Sequence, residues 1–322
     1  MKINTHKLLL NYHKHPDYPA IAKFAGQLSR TQTADQILEA VENEFGVFQG
    51  LAAMRLEPQP LKVFGSLGDQ IPQNAYDQIL TALRIPPATR GALLPDAHHG
   101  YSVPIGAVVE LENAVSPAFI GYDISCMMML SIFAVSDEDF NGSREFFAEC
   151  LDKETAFGVG SSFETPKQHV VMEDPAWEEI TVLKRLKRNA QNQLGSSGGG
   201  NHFADLVVGE VLLEKDWLPL DVGGKFIALM THSGSRGTGH KVATHYEKLA
   251  NDLTRFVADR IPKGYSWLQM DSEAGQEYWR AMQLMGSYAL ANHELIHADF
   301  ARRAGLETIL NVWNRHNFAW EV

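Results

Sequence analysis

The stretch LGSSGGGNHFADL, residues 194–206, sets three consecutive glycines directly before an asparagine, a histidine and an apolar run with strand character. Glycine loses more backbone freedom on folding than any other residue. Gly198, Gly199 and Gly200 together therefore either form a flexible linker or let main-chain N–H groups approach something closely. Ordered-looking sequence on both sides places the triplet inside a folded region, where structureless joins are uncommon. The close-approach reading makes Asn201 and His202 residues that project toward whatever the glycines admit; the linker reading gives them no partner.

Composition bounds the rest. With 322 residues, 45% of them hydrophobic and 21% charged, the chain can bury a substantial core. No window has the apolar length of a membrane span. The opening MKINTHKLLLNYHKHPDYPA carries His, Asn and Asp through its short apolar patch, unlike a signal peptide, so the expected setting is cytoplasmic with no membrane partner. Two cysteines, Cys126 and Cys150, exclude a disulfide scaffold. A formal net charge of −11 argues against a broad cationic surface, so a nucleic-acid partner would be gripped locally by a few arginines, lysines or metal ions.

Periodicity expects a helix over 33–45 behind a Thr cap, a strand in LKVFGSL, and a helix in QNAYDQILTALR closed by IPP. GALLP, VPIGAVVEL and MMMLSIFAV then read as strands separated by polar, glycine-rich corners. WEEITVLKRLKRNAQNQLG is a helix leading to the glycine triplet; FADLVVGEVLLE and KFIALMTHS are strands. GHKVATHYEKLANDLTRFVADRI and EAGQEYWRAMQLMGSYALANHELIHADFARRA are long amphipathic helices, and LETILNVWNRHNF returns to a strand. The expected class is α+β or α/β, with strands and long helices around one main core and strand order not readable.

Four corners join glycine to residues that bind metal or phosphate: PDAHHGYSVPIG, GYDISCMM, GGGNHFAD and THSGSRGTG. Asp123 and Cys126, three apart, form a chelating pair. His202 and His232 stand at strand ends, and His316 sits in NRHNF. Thiolate, imidazole and carboxylate together make a transition-metal set. Taken singly, a cysteine amid ISCMMML is more often a small buried hydrophobe. Ligand softness alone favours zinc, although the spacing fits no zinc-finger pattern. In HSGSRG, Ser233, Ser235 and Arg236 offer hydroxyls and a planar guanidinium to an oxyanion, and the helix beginning near Gly239 adds its positive end; the plain alternative is a flexible polar turn. Of the adjacent His98 and His99, only one can face a given pocket in extended chain. Cys150, His169, His240, His245, His293 and His297 lack such settings and read as structural or surface residues.

Together these motifs resemble the RtcB-type RNA-splicing ligases. PDAHHGYSVPIG, GYDISCMM, QLGSSGGGNHF, HSGSRGTG, ALANHELI and HNFAWE occur in that family's order from about Leu94 onward. The resemblance implies an RtcB-like domain over 1–322, in which 1–60 matches poorly. It implies that Asp123, Cys126, His202, His232 and His316 hold two manganese ions, with the Cys126 thiolate bridging. It further implies that Asn201, His202 and Asp205 face a nucleotide, and that Arg236, with Ser233 and Ser235, faces RNA phosphate. The implied activity joins RNA ends bearing a 2′,3′-cyclic phosphate or 3′-phosphate to 5′-hydroxyl ends, as in tRNA halves or broken RNA, with GTP as cofactor. In the family GTP guanylylates a histidine, which passes GMP to the RNA 3′-phosphate before the 5′-hydroxyl attacks.

The sequence departs from the family pattern at three places. Ser125 and Met127 flank Cys126 where glycines are usual. Asp205 stands where Glu is usual. No counterpart is found, after HNFAWE, of the basic, glycine-containing segment that ends near the guanylylated histidine. That departure expects impaired ligation and keeps two other classes open: a metal-dependent phosphoesterase acting on cyclic phosphate ends, and a non-catalytic module binding RNA ends or nucleotide.

Overall fold

The structure, a computed structural model, describes residues 3–9, 12, 13, 15–46 and 51–322. It divides into two compact units, Met1–Ser116 with Glu247–Gln269, and Pro117–Tyr246 with Met270–Val322.

In the first unit, helices α1 (Tyr18–Leu28) and α2 (Ala34–Phe45) pack around Leu9, Tyr12, Ile21, Ala25, Ile37 and Val41. The expected Thr cap is a full capping box. The Thr33 hydroxyl accepts from Gln36 N–H, and the Gln36 side chain accepts from Thr33 N–H, so two otherwise orphaned donors are satisfied. Strand β1 (Leu61–Val63) runs parallel to β2 (Ala88–His98), which pairs antiparallel with β3 (Ile105–Leu111). Helix α3 (Gln73–Ala82) buries Ala75, Ile79 and Ala82. GALLP is thus the middle of a longer strand, and His98 at its end is exposed, its Nδ1 2.9 Å from the Asp96 carbonyl.

The second unit is built on a four-stranded antiparallel sheet. Its strands are β4 (Met127–Phe133), β7 (Phe203–Glu210), β8 (Lys225–Ser233) and β9 (Thr308–Arg315), in the spatial order β9-β4-β8-β7. Between them in the chain come helix α4 (Arg144–Glu154), the short parallel pair β5 (Ala156–Phe157) and β6 (Ser196–Gly198), and helix α5 (Thr181–Gln193). Helix α6 (Arg236–Val257) leaves the end of β8, and the 32-residue α7 (Glu273–Ala304) covers one sheet face. Alternate residues Phe133, Ala204, Ile227 and Leu229 meet Ile296, Phe300 and Ala301 of α7 and Phe147, Cys150 and Leu151 of α4. Helix α7 starts on a Ser272 cap and stops at Gly305 in the left-handed region.

Register decides what this sheet can do. Met127 pairs with both Ser233 and Arg315, and His232 pairs with Phe203. The start of β4, the start of β7, the end of β8 and the end of β9 therefore lie at one end of the sheet, and the residues just outside them form a row.

Several expectations change within or at the edges of elements. The helix expected over WEEITVLKRLKRNAQNQLG is interrupted at Ile180, which is extended (φ −94, ψ 117), and becomes Ala176–Glu179 followed by α5. The run FADLVVGEVLLE stops as a strand at Glu210, because Val211 closes a loop with Gly223 and Gly224 and the chain leaves the sheet. Helix α6 begins three residues earlier than expected, at Arg236. The glycine triplet is not a linker: Gly198 ends the buried strand β6, and its carbonyl accepts from Gly158 N–H at 2.7 Å. Among the described residues, no helix is long and apolar enough to cross a membrane.

Candidate metal centre

Cys126 immediately precedes β4, His202 immediately precedes β7, His232 is the penultimate residue of β8, and His316 immediately follows β9. The strand order thus sets them in the row His316, Cys126, His232, His202. Beyond the last ladder pair, His316 N–H donates to the Cys126 carbonyl at 2.8 Å and Ser125 N–H to the Asn317 carbonyl at 2.9 Å, so the C-terminal corner is stitched to the cysteine by main chain. Gly286 of α7 leaves room for this corner, since a Cβ there would come within 2.8 Å of the Phe318 ring and of Arg315. Asp123 joins the row through a tight turn closed by Cys126 N–H donating to its carbonyl at 3.1 Å.

The Cys126 sulfur lies 3.0 Å from His232 Nε2 and 3.5 Å from His202 Nε2. His202 Nε2 is 2.7 Å from Asp123 Oδ2, and His232 Nε2 is 3.2 Å from His316 Nε2. Two donor sets result, Asp123–Cys126–His202 and Cys126–His232–His316, whose ligand atoms lie within 4.8 Å of one another inside each set and which share one sulfur. All five expected ligands are thereby brought together. Cys126 is buried while His316 is exposed, so the site is closed on the Cys126 side and open on the His316 side.

Charge and hydrogen bonding match this donor set. Burial, and after it the Asp123 carboxylate, push the Cys126 thiol well above its ordinary pKa, so a thiolate here requires positive charge beside it. Burial works to raise Asp123 as well, but the hydrogen bond and charge of His202 overcome it and hold the carboxyl below its usual value. Burial and the neighbouring His232 keep His316 below its ordinary value, which favours the neutral imidazole that ligates metal. His232 Nδ1–H donates to the Asn201 carbonyl at 3.1 Å, which fixes the tautomer and leaves Nε2 free to face the sulfur. The residues present therefore fit two cations sharing a thiolate.

Arg236 is 8% exposed and stands at φ +59, a conformation that costs a bulky L residue roughly 1–2 kcal/mol. Its guanidinium donates to Ser196 Oγ at 3.1 Å and to His202 Nδ1 at 3.2 Å, and burial draws its pKa down from the ordinary arginine value. Ser125 and Asn317 share the left-handed region, so three of the five non-glycine residues there among the described residues adjoin the ligand row. Strain of this kind collects at sites that the surrounding fold over-determines.

Gly198 and Gly234 are close approaches to protein groups. A Cβ at Gly198, φ +101, would meet the Arg236 guanidinium at 2.0 Å, and one at Gly234 would meet Asp123 Oδ1 at 2.2 Å. Ser233 and Ser235 are fully buried, and their hydroxyls donate to the carbonyls of Ser197 and Ile124 at 2.7 and 2.6 Å. Asn201 is exposed, with its main-chain carbonyl engaged by His232. Asp205 is exposed on β7, two residues past Phe203.

Sequence reasoning assigned no role to Asn292. This fully buried side chain accepts from Gly195 N–H at 2.8 Å and donates to the Ser196 carbonyl at 2.9 Å and Ser233 Oγ at 3.3 Å, tying the glycine strand to β8. Its only signal was an asparagine inside an apolar helix stretch, ALANHELI. His293 and His297 are likewise buried. Hydrogen-bond distances of 2.6 to 3.2 Å link Ser131, His297, Thr231 and His293 in series and end on the Ser233 carbonyl.

This fold and donor set define an α+β protein with a candidate two-ion centre at one end of an antiparallel sheet. The family model for tRNA-splicing ligase RtcB matches residues 78–319, and the chain belongs to the RtcB family. It is 26% identical over 265 residues to the tRNA-splicing ligase RtcB of Methanococcus maripaludis, covering 71% of this chain and 55% of that protein. It is 26% identical over 272 residues to RNA-splicing ligase RtcB homolog 1 of Entamoeba dispar, covering 73% and 50%. Against the tRNA-splicing ligase RtcB of Thermococcus kodakarensis it is 27% identical over 238 residues, covering 63% and 49%. The chain spans about half the length of the curated relatives it matches.

Proposed function

We propose that this chain carries the metal centre of an RtcB-type RNA ligase. In this reading the enzyme joins RNA ends bearing a 2′,3′-cyclic phosphate or 3′-phosphate to 5′-hydroxyl ends, with manganese and GTP as cofactors. The observation that carries the reading is the pair of donor sets sharing the Cys126 sulfur in a member of this family. One ion would be held by Asp123, Cys126 and His202, the other by Cys126, His232 and His316. Bound there, two divalent cations supply concentrated positive charge to a phosphoryl group undergoing displacement. An acidic protein can thereby accept a polyanion.

The protein's own groups supply orientation. The Asn201 carbonyl holds His232 in the tautomer whose Nε2 faces the sulfur, and Arg236 braces the His202 ring from its far side. The buried Arg236 cation adds a fixed positive charge beside the row. Asn201 and Asp205, exposed at the start of β7, are the residues we assign to nucleotide contact.

The test is metal stoichiometry together with product analysis. The protein reconstituted with manganese should hold two ions, and Cys126→Ser should lose both, because one sulfur serves both sets. Loss of a single ion would reject the shared ligand. Incubated with manganese, labelled GTP and RNA carrying a cyclic phosphate and a 5′-hydroxyl, the protein should give joined RNA at the impaired rate expected from its departures from the family pattern. A linear monophosphate end without joining would mark a phosphoesterase instead, and retention without conversion a binding module.

A further inference from the structure

Helix α5 departs from the charge balance of the chain. The whole sequence carries 39 acidic against 28 basic residues, yet Thr181–Gln193 contains Lys184, Arg185, Lys187 and Arg188 and no carboxylate. Glu178 pairs with Lys184 at 3.3 Å and Lys187 at 3.0 Å. Arg185 and Arg188 are exposed, and among the described residues no carboxylate pairs with either. A merely solvated helix face would be expected to balance its cations as Glu178 balances the two lysines.

The position of these arginines gives them a use. Residues three and four apart share a helix flank, so Arg185, Arg188 and Asn189 lie on one side of α5. Asn189 Nδ2 reaches Thr238 Oγ1 of the first turn of α6 at 3.5 Å. One turn further along, Gln193 Oε1 lies 3.2 Å from the position a Cβ on Gly237 would take. The neighbouring residue is Arg236, whose guanidinium touches the metal-centre ligand His202. Arg188 and Arg185 stand about 8 and 12 Å back from Gln193 along the helix axis. A flank of unpaired guanidinium groups thus runs toward the ligand row. The apolar face of the same helix, with Leu183, Leu186 and Ala190, is buried, so the charge is not backed by a face that could enter lipid.

We propose that the Arg185–Arg188 flank of α5 binds the phosphodiester backbone of a single-stranded RNA whose 3′ end occupies the metal centre. The proposal rests on the RNA-ligase reading and adds the path of the strand to it. Exposed arginines without carboxylate partners are the cations that gain most from phosphate, through paired N–H donors and counterion release.

The salt dependence of RNA binding tests this. Affinity for a ten-nucleotide single-stranded RNA with a 3′-phosphate is measured across a potassium chloride series for the manganese-loaded wild type, R185A/R188A and R185K/R188K. Each single-strand phosphate contact contributes about 0.7 to the slope of log affinity against log salt. The alanine pair should therefore flatten the slope by about 1.4, the lysine pair should keep most of it, and affinity for a mononucleotide 3′-phosphate should be the same in all three. Metal content and melting temperature check that the variants fold; R185Q/R188Q replaces the alanine pair if that variant does not. Equal slopes in wild type and the neutral variant overturn the proposal, as does an equal loss for the mononucleotide. If the wild type binds no RNA at all, the ligase reading fails and the proposal falls with it.

Discussion

Ser125 shows how much a single residue gives up to this centre. It is fully buried at φ +57, and its hydroxyl has no hydrogen-bond partner among the described residues. Left-handed geometry costs roughly 1–2 kcal/mol and an unsatisfied buried hydroxyl about 1–3 kcal/mol. The conformation belongs to the turn that sets Asp123 beside Cys126 while Ser125 N–H reaches Asn317. Glycine removes both costs and adds back some unfolded-state entropy. Ser125→Gly should therefore stabilise the protein by about 1 kcal/mol, seen as a melting temperature higher by ~2 °C with metal stoichiometry unchanged. A lower melting temperature would mean that the hydroxyl is bonded in solution. Other residues were legible in part. Cys126, His202 and His232 stood out as donors in glycine-containing corners and His316 as a histidine in NRHNF, whereas Ser233 and Ser235 looked like phosphate donors because a glycine-rich string resembles an open loop. Tertiary packing buried those two and gave their hydroxyls to main-chain carbonyls.

At the scale of elements, the sheet end is held by His293 and His297, which the sequence marked only as structural or surface residues and which packing makes structural. His293 Nε2–H donates to the Ser233 carbonyl, His293 Nδ1 accepts from Thr231, and His297 Nε2 is 2.7 Å from the same Thr231 hydroxyl, so both neighbours of His232 are pinned to α7. Burial, opposed in His293 by its bond to Ser233, lowers His293 to about 4; burial and the neighbouring His293 lower His297 to about 3. Both start from an ordinary value of about 6.5. Below that value the unfolded chain takes up protons that the folded protein refuses. The stability linked to these imidazoles is therefore complete above pH 6.5 and is lost as pH falls toward 4 and 3. Between pH 7 and pH 5 the loss should be on the order of 2–4 kcal/mol for the pair, read from urea denaturation at the two pH values. His297→Asn should shrink that difference by about half. An unchanged difference would show that other groups dominate the acid response.

For the molecule as a whole, the centre is assembled from residues spread from Asp123 to His316, and no short segment contains either donor set. The unfolded chain therefore offers no equivalent site, and bound metal stabilises only the native state. Manganese at 100 times its dissociation constant should add about 2.7 kcal/mol for each ion held, and a chelator should remove that gain. Cys126→Ser should abolish most of the metal-dependent rise in melting temperature while leaving the chelated protein close to wild type. A rise that persists in the variant would move the ions elsewhere.

The sequence by itself determined the mixed α and β class, the positions of the long helices and most strands, and which side chains are chemically fit to ligate. Those follow from local periodicity, capping and donor type, properties that a residue carries with its near neighbours. Only the tertiary structure decided that the ends of four strands lie side by side and that Gly198 and Gly234 yield space to Arg236 and Asp123, the placement on which the shared sulfur implied by the family resemblance depends. Register and strand order arise from packing between residues up to nearly two hundred positions apart, and no local pattern encodes a contact over that span.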